Sequence, residues 1–366
     1  MNLVSERLNV DDYEEAIELF YKRHWTDGLP VVLPTPRRVE ALIEHVGRDP
    51  QESLGAIPPR GGEATLEKLA INAVMGGCQP EHFPVVLAAM EALLDPAHNL
   101  NGVSQTTHMC VSLIIVNGPI ARELGFNSRD GVFGNGYRAN AAVGRAVRLA
   151  LWNLGGAFPW DTDKSTLSHP GEYAFCIAEE EEDNPWPPLH VERGCPPGSD
   201  AVTVFACEGP HSVFCYGTPE EMLHVLADSL QALGSNNIHV LGQTLVTLNP
   251  LNAEEFAKRG WSKQDVRMYL WEHARRPLAE VRACGVIHEQ FRKMERDAGR
   301  YPLRYDLENP TTRLPVTASP EDIHIIVAGG RSYFAAVLPG WGGFGGFAVT
   351  RPIRRVALKE HAPWNS

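Results

Sequence analysis

The sequence predicts an α/β protein of two similar α/β units, related by internal duplication, with a C-terminal strand extension. Three observations carry this. Apolar strand-like runs, Val111 to Val116 and Val202 to Ala206 among them, alternate with amphipathic helix-like segments. Pro80-Glu81 followed by Val86-Leu87-Ala88 is matched, at identical offsets, by Pro219-Glu220 followed by Val225-Leu226-Ala227. Finally, Ser112 to Ser128 parallels Thr244 to Ser262: each is a strand ending in Asn with Pro close behind, then a helix, then a Gly-aromatic pair before Ser. The polar loops ahead of them, SQTTH and SNNIH, end in His108 and His239.

Residues 1–64 read as an N-terminal helix and a Pro-rich arm. Val10 to His24 is an acidic amphipathic helix capped at Asp11 or Asp12, with Tyr13, Ile17, Leu19 and Phe20 as its apolar stripe. Asp27-Gly28 is a turn, and Pro30, Pro34 and Pro36 leave Val31 to Leu33 extended. Thr35 caps a helix that starts at Pro36, and AIPPRGG (Ala56 to Gly62) is a rigid loop. Residues 65–158 form the first α/β unit: a helix capped at Thr65 and stopped by Gly76-Gly77, a helix opened by Pro80, the Val111 strand, and a short helix after Asn117-Gly118-Pro119. Residues 159–200 form an irregular connection, with prolines around Trp186 and an acidic run, Glu179 to Asp183, that reads as a solvated face. His169, Glu179, Glu181, His190 and Glu192 are the residues of this connection that could reach back to a site.

Residues 201–320 form the second unit: strand Val202 to Ala206, loop CEGPHSVFCYG, helix Pro219 to Leu233, strand Ile238 to Leu248, helix Ala253 to Arg259 and a helix capped at Ser262. Residues 321–366 supply the strand IHIIV, which contains His324, a strand Tyr333 to Leu338, and a loop of Gly340, Gly342, Gly343, Gly345 and Gly346 with Trp341, Phe344 and Phe347. That loop reads as a tight turn or a lid.

A chain of 366 residues with 43% apolar and 21% charged residues can bury a large core, in one big or two ordinary domains. Its net charge of −12, with no basic run, argues against nucleic-acid and anionic-membrane partners, so local arginines must do any anion binding. No basic-then-apolar leader and no membrane-spanning apolar run occur, which makes the cytoplasm the expected location. Seven cysteines, an odd number without CxxC pairs, read as reduced thiols. Association into a homo-oligomer stays open.

The strongest functional signal precedes a helix. Gly131, Gly134 and Gly136 form a loop running into Tyr137, Arg138, Ala139 and Asn140, so that backbone N–H groups and the helix dipole favour a phosphate or carboxylate. Arg138 and Arg145, seven residues apart, share a face of this small-residue helix. A buried arginine requires an anion, which is either a substrate or an Asp or Glu of the fold. GVFGNG has neither dinucleotide-binding nor P-loop spacing.

Cys78 lies near a helix N-terminus one turn from His82, a setting that favours thiolate; the structural alternative is a small residue filling a helix corner. His108, Cys207 and His211 are candidate ligands for a divalent transition metal if the two units face each other, with Cys110 two residues beyond His108. No Gly-x-Ser-x-Gly elbow is present. The acid/base candidates are therefore His82, His108, His211 and His239.

The blocks EKLAINAVMGGCQPEHFPVVLAAMEALL, TTH followed by IIVNGP, GVFGNGYRANAAVGRAVRLALWN, HPGEYAFCIAEEEE with PWPPLHVERG, and GWSKQDVRMYLWEHAR resemble a poorly characterised bacterial family. Its members are often encoded beside UGSC-type selenoproteins or their cysteine forms, which resemble the catalytic part of the glycine/sarcosine reductase B subunit. The resemblance implies work beside a thiol or selenol partner protein. It supplies no catalytic residues, and Cys110 stands where relatives carry apolar residues or proline, which weakens the His108–Cys110 metal pairing.

The expected function is a small-molecule enzyme that cleaves a carbon–heteroatom bond in an anionic substrate. Arg138, Arg145, Asn140, Gly134, Gly136 and Tyr137 would bind the substrate, and Cys78 with His108 or His82 would do the chemistry. The alternatives are a metal-dependent hydrolase using His108, Cys207 and His211, and a non-catalytic subunit presenting substrate to a reductase partner.

Overall fold

A computed structural model describes residues 1–284, 309–343 and 345–355. Phe344 of the glycine-aromatic loop and part of the 201–320 span lie outside the described residues. Along the chain the elements are α1 (Tyr13–Lys22), α2 (Pro36–Val46), β1 (Ser53–Ile57), β2 (Gly62–Thr65), α3 (Leu66–Met75), α4 (Phe83–Leu93), α5 (Leu100–Val103), β3 (Val111–Asn117), α6 (Pro119–Glu123), α7 (Arg138–Ala150), β4 (Cys176–Ala178), α8 (Leu189–Glu192) and β5 (Ala201–Cys207). There follow β6 (His211–Phe214), α9 (Pro219–Leu230), α10 (Asn236–Val240), β7 (Thr244–Leu248), α11 (Pro250–Lys258), α12 (Lys263–His273), β8 (Arg275–Pro277), α13 (Leu278–Ala283), β9 (Arg313–Pro315), β10 (Ile323–Val327), β11 (Phe334–Pro339) and β12 (Val349–Pro352). The architecture is mixed α/β, and none of its sheets closes into a barrel.

Local signals set most helix starts. Asp12 accepts a hydrogen bond from the Glu15 N–H, Thr65 from Lys68, and Ser262 forms a reciprocal capping box with Asp265. Pro36, Pro119, Pro219 and Pro250 each open a helix, where a missing N–H costs nothing. Other expectations need correcting. The stretch from Ile238 begins in α10 and becomes strand only at Thr244, the CEGPHSVFCYG loop contains β6, and AIPPRGG belongs to the hairpin β1–β2. The Ser262 helix stops at His273, ahead of β8.

Two four-stranded sheets hold the centre. In β12-β5-β3-β4, β3 pairs parallel with β4 and antiparallel with β5, which pairs antiparallel with β12. In β10-β7-β11-β6, β7 pairs parallel with β10 and antiparallel with β11, which pairs antiparallel with β6. The two sheets thus share one order of pairings. The chain crosses between them twice, from β5 to β6 and from β11 to β12, and Cys207 and Gly340 bridge where these segments pass.

Side-chain alternation distributes each sheet between two cores. Ile114, Val116, Val202 and Val204 face α3, α4 and α7, while Val246, Leu248, Ile323 and Ile325 face α9, α12 and α13. The opposite faces, with Val111, Leu113, Phe205, Leu245, Ile326 and Leu338, pack against each other. The result is four layers, helices outside and two sheets inside. No helix of the described residues is long and apolar enough to cross a membrane.

Only the end of the acidic run is a solvated face: Glu182 and Asp183 are exposed, but its start is not. Glu179 and Glu180 are buried at the end of β4; Glu179 accepts from Asn117 Nδ2 (2.8 Å) and the Leu189 N–H (2.8 Å), and Glu180 from Ser128 Oγ (2.7 Å) and Arg129 Nε (2.8 Å). Burial pushes the Glu179 carboxyl up.

Candidate functional site

The glycine loop and arginine helix form as expected, but their polar groups are used by the fold. Gly131 and Gly136 have φ of +68° and +106°, the conformation only glycine adopts freely. Buried Asn140 accepts from the Asn127 N–H at 2.8 Å and donates to the Asn127 and Cys176 carbonyls at 3.1 Å, fastening α7 to β4. Arg138 donates to the Gly77 carbonyl from Nε (3.2 Å) and Nη2 (3.0 Å). Arg145 makes a two-pronged bond with Asp27 at 2.9 and 2.7 Å and a third to the Leu29 carbonyl. The anion Arg145 requires is therefore Asp27, the alternative in which the partner belongs to the fold, whereas Arg138 is exposed and bonds a backbone carbonyl. Tyr137 is exposed and Gly134 closes a turn onto the Gly131 carbonyl, so neither contributes to an enclosed pocket.

The surroundings of Cys78 and His82 oppose the charges expected of them. Burial pushes the Cys78 thiol far above its ordinary value, against a smaller opposing pull from Arg138. Burial also holds His82 down at about 4, so no imidazolium supports a thiolate. His82 Nδ1 instead accepts the Gln79 N–H at 3.1 Å and caps the turn that begins at Pro80.

The groups free to act lie at the other end of α7. A small cleft of about 10 Å³, room for about one water, lies between the start of β3, the end of α7 and the 163–172 segment, lined by His108, Cys110, Ser112, Arg148, Asp163 and Glu172 together with Ser104 and Ser165. His108 Nε2 lies 2.7 Å from Glu208 Oε1, and its Nδ1 is buried without a hydrogen-bond partner. With Nε2–H donating to the carboxylate, Nδ1 presents a lone pair.

The loop bearing His108 is fixed by its neighbours. The His108 N–H donates to Thr106 Oγ1 (3.2 Å), which also takes the indole N–H of Trp341 (2.9 Å), and the Thr166 N–H donates to the Thr107 carbonyl (3.0 Å). Arg148 is ion-paired with Glu172 and donates from Nε to the Glu172 carbonyl (3.1 Å). Burial lowers its guanidinium to about 10, opposed by the nearby Asp163 carboxylate. His169 stands beside the cleft, close enough to feel Arg148, Glu208 and His108. Its Nδ1 accepts the Gly171 N–H (3.1 Å), its other ring nitrogen interacts with the Cys207 backbone, and burial pushes its pKa down against that pull. Cys110 also faces the cleft, its thiol pushed up to about 12 by burial.

The metal set does not assemble. Cys207 points into the core between the sheets beside Val111, and His211 is exposed on β6 in the other sheet. Among the described residues no group of three His, Cys, Asp or Glu side chains is arranged to hold a metal ion.

Sequence reasoning found His108 but missed Arg148, Glu208, Asp163 and Glu172. Arg148 sits three residues after Arg145, one turn further along α7, and Glu208 immediately follows the end of β5. Strand ends are where α/β proteins place ligands, so Glu208 was open to detection.

Comparisons with protein-family models, curated proteins and solved structures gave no match.

Proposed function

We propose that this cleft is the active site of a small-molecule enzyme that cleaves a carbon–heteroatom bond in an anionic substrate, with His108 as the acid/base group. The observation that carries the reading is the 2.7 Å His108–Glu208 contact beside Arg148, with Nδ1 buried and, among the described residues, without a hydrogen-bond partner. Arg148 would take the substrate carboxylate, replacing Arg138 and Arg145 in that role. Nδ1 would remove a proton from the carbon next to the carboxylate, and the heteroatom would leave from the adjacent carbon with the bonding pair. The imidazolium, stabilised by Glu208, would return its proton to the leaving group, giving an alkene and a neutral product.

A thiol acting here would come from outside. Burial has raised Cys110, the one thiol that lines the cleft, away from thiolate. That supports a partner thiol or selenol over an internal nucleophile, in keeping with the family resemblance.

We also infer that the two units are copies that have exchanged a strand, since β12 completes the first sheet as β6 completes the second. In the second unit the place of Glu208 is taken by Gly340, whose N–H donates to Asn237 Oδ1 (3.1 Å). On this reading chemistry is kept in the first unit only.

The test is proton NMR of the protein with carboxylates bearing a hydroxyl, amino or thioether group on the second carbon from the carboxylate, so that the first carries the proton to be removed, with and without added thiol. His108→Ala should cost about 10²–10⁴-fold in turnover. Turnover by His108→Ala at the wild-type rate would refute the assignment.

A further inference from the structure

The outer end of the second sheet carries an uncovered aromatic cluster. Phe214, Tyr216, Tyr333 and Phe334 are 59%, 64%, 48% and 53% exposed. Phe214 and Phe334 are register partners across β6 and β11, with ring centroids 5.6 Å apart, and Tyr216 meets Tyr333 at 4.7 Å. By alternation Phe334 shares a face with Ala336 and Leu338, which pack between the sheets. The aromatic cluster thus continues that apolar face beyond the point where the first sheet covers it.

The first sheet shows how such a face is closed. There the connection from β4 to β5, residues 179–200, folds α8 and Arg193 across the corresponding strand pair, and Arg193 Nε donates to Thr350 Oγ1 on β12 at 2.7 Å. In the second sheet the corresponding connection, from β10 to β11, is residues 328–333 only. It is too short to cover anything. Among the described residues, moreover, no strand pairs with the outer edge of β6.

We infer that a second copy of this chain covers this face, the aromatic cluster of each protomer laid against that of the other about a twofold axis. Four rings, each about half exposed and worth about 200 Å² when buried, supply roughly 400 Å² per protomer. Both protomers together give roughly 800 Å² from the rings alone, and the flanking edge strands bring the total near the ~1,200 Å² at which specific interfaces begin. The four rings carry no charge, so two identical patches meet without repulsion even though each chain has a net charge of −12. A twofold contact sets the same patch against itself, so the one exposed cluster supplies both sides.

The test is sedimentation equilibrium of the full chain over a concentration series. The expected species is twice the 40.3 kDa protomer. Phe214→Glu with Phe334→Glu should return it to the protomer mass, and Leu167→Glu, at an exposed site elsewhere, should leave the dimer intact. Ser212→Cys on β6 is the second measurement, expected to give a disulfide-linked dimer on mild oxidation that the wild-type chain does not form. A wild-type monomer at every concentration overturns the inference and assigns the patch to a different protein. So does a dimer that survives the double substitution, or one that the Ser212→Cys variant fails to trap.

Discussion

Acid should destabilise this protein well before its carboxylates begin to protonate. Burial lowers His82 and His98 to about 4 and His324 to about 3, from an ordinary 6.5. At His98, which lies 3.2 Å from the Phe347 carbonyl through Nδ1 and 2.9 Å from Ser112 Oγ through Nε2, burial outweighs the opposing pull of the carbonyl and of Asp95. Because the folded values are depressed, the unfolded chain binds more protons as pH falls below 6.5. Stability is complete above that value and drains away down to about pH 4. At pH 5 each ring is almost fully protonated when unfolded and almost fully neutral when folded, a loss of about 2 kcal/mol each. Three rings lose about 6 kcal/mol, comparable with the whole stability of an ordinary domain. Glu179 and Asp322, raised by burial, take up protons in the folded state and work the other way, so this is an upper figure. Urea unfolding from pH 7 to 5 measures the effect. His98→Gln should flatten the slope near pH 5 by about 1.4 kcal/mol per pH unit, one proton's worth. A wild-type loss under about 1 kcal/mol, or a variant curve parallel to wild type, would refute the reasoning.

Three further outcomes follow from the contacts. Asp27→Asn should destabilise the fold by about 3 kcal/mol, because Arg145 is left largely buried without its counter-charge, while affinity for small carboxylates stays unchanged; denaturant unfolding and calorimetric titration separate the two. Native thiol labelling with an aromatic disulfide should modify exposed Cys284 and half-buried Cys195 quickly, with Cys78 and Cys110 reacting only once urea is added; rapid Cys78 labelling would restore it as a candidate nucleophile. Gly118→Ala should prevent folding or lower the melting temperature sharply, since φ there is +91° and a Cβ would lie 2.4 Å from the Ser199 carbonyl oxygen.

What the sequence made legible was local. Asp12, Thr65 and Ser262 announce helix starts because a cap bonds within three residues, and a proline at a first helical position acts within one turn. The strands that define the sheets were harder. β12 is four residues long and finds its partner β5 far back in the chain, and β6 is exposed at all but Val213, so neither carries a strong period of its own. Ile238 to Val240 has strand-like composition yet closes a helical turn, held where Asn237 Nδ2 reaches the Gln243 carbonyl. The site divided along the same line. His108 stands out at the end of a polar loop, but Glu208, Arg148 and Asp163 come from three separate segments, and which arginine of α7 faces the cleft depends on packing. Glu179 and Glu180 read as surface charge because the buried donors that receive them are distant in sequence.

The charge balance of the cleft decides what it can bind. Arg148 is its one permanent cation, facing Glu172 and Asp163, with Glu208 behind His108. A carboxylate entering as proposed must displace Glu172 from the guanidinium, so the resting ion pair competes with substrate. Removing that competitor should strengthen binding even as it loosens the cleft wall. Glu172→Gln is therefore expected to tighten binding of a small dicarboxylate such as malonate by about 10-fold or more, since a charge-assisted hydrogen bond is worth about 1.5–3 kcal/mol. Arg148→Ala should abolish that binding in both backgrounds, and isothermal titration reads both. If Glu172→Gln weakens binding, Glu172 is holding Arg148 in its working position rather than guarding it. If Arg148→Ala leaves binding unchanged, the anion does not enter this cleft, and the role proposed for the arginine fails with it.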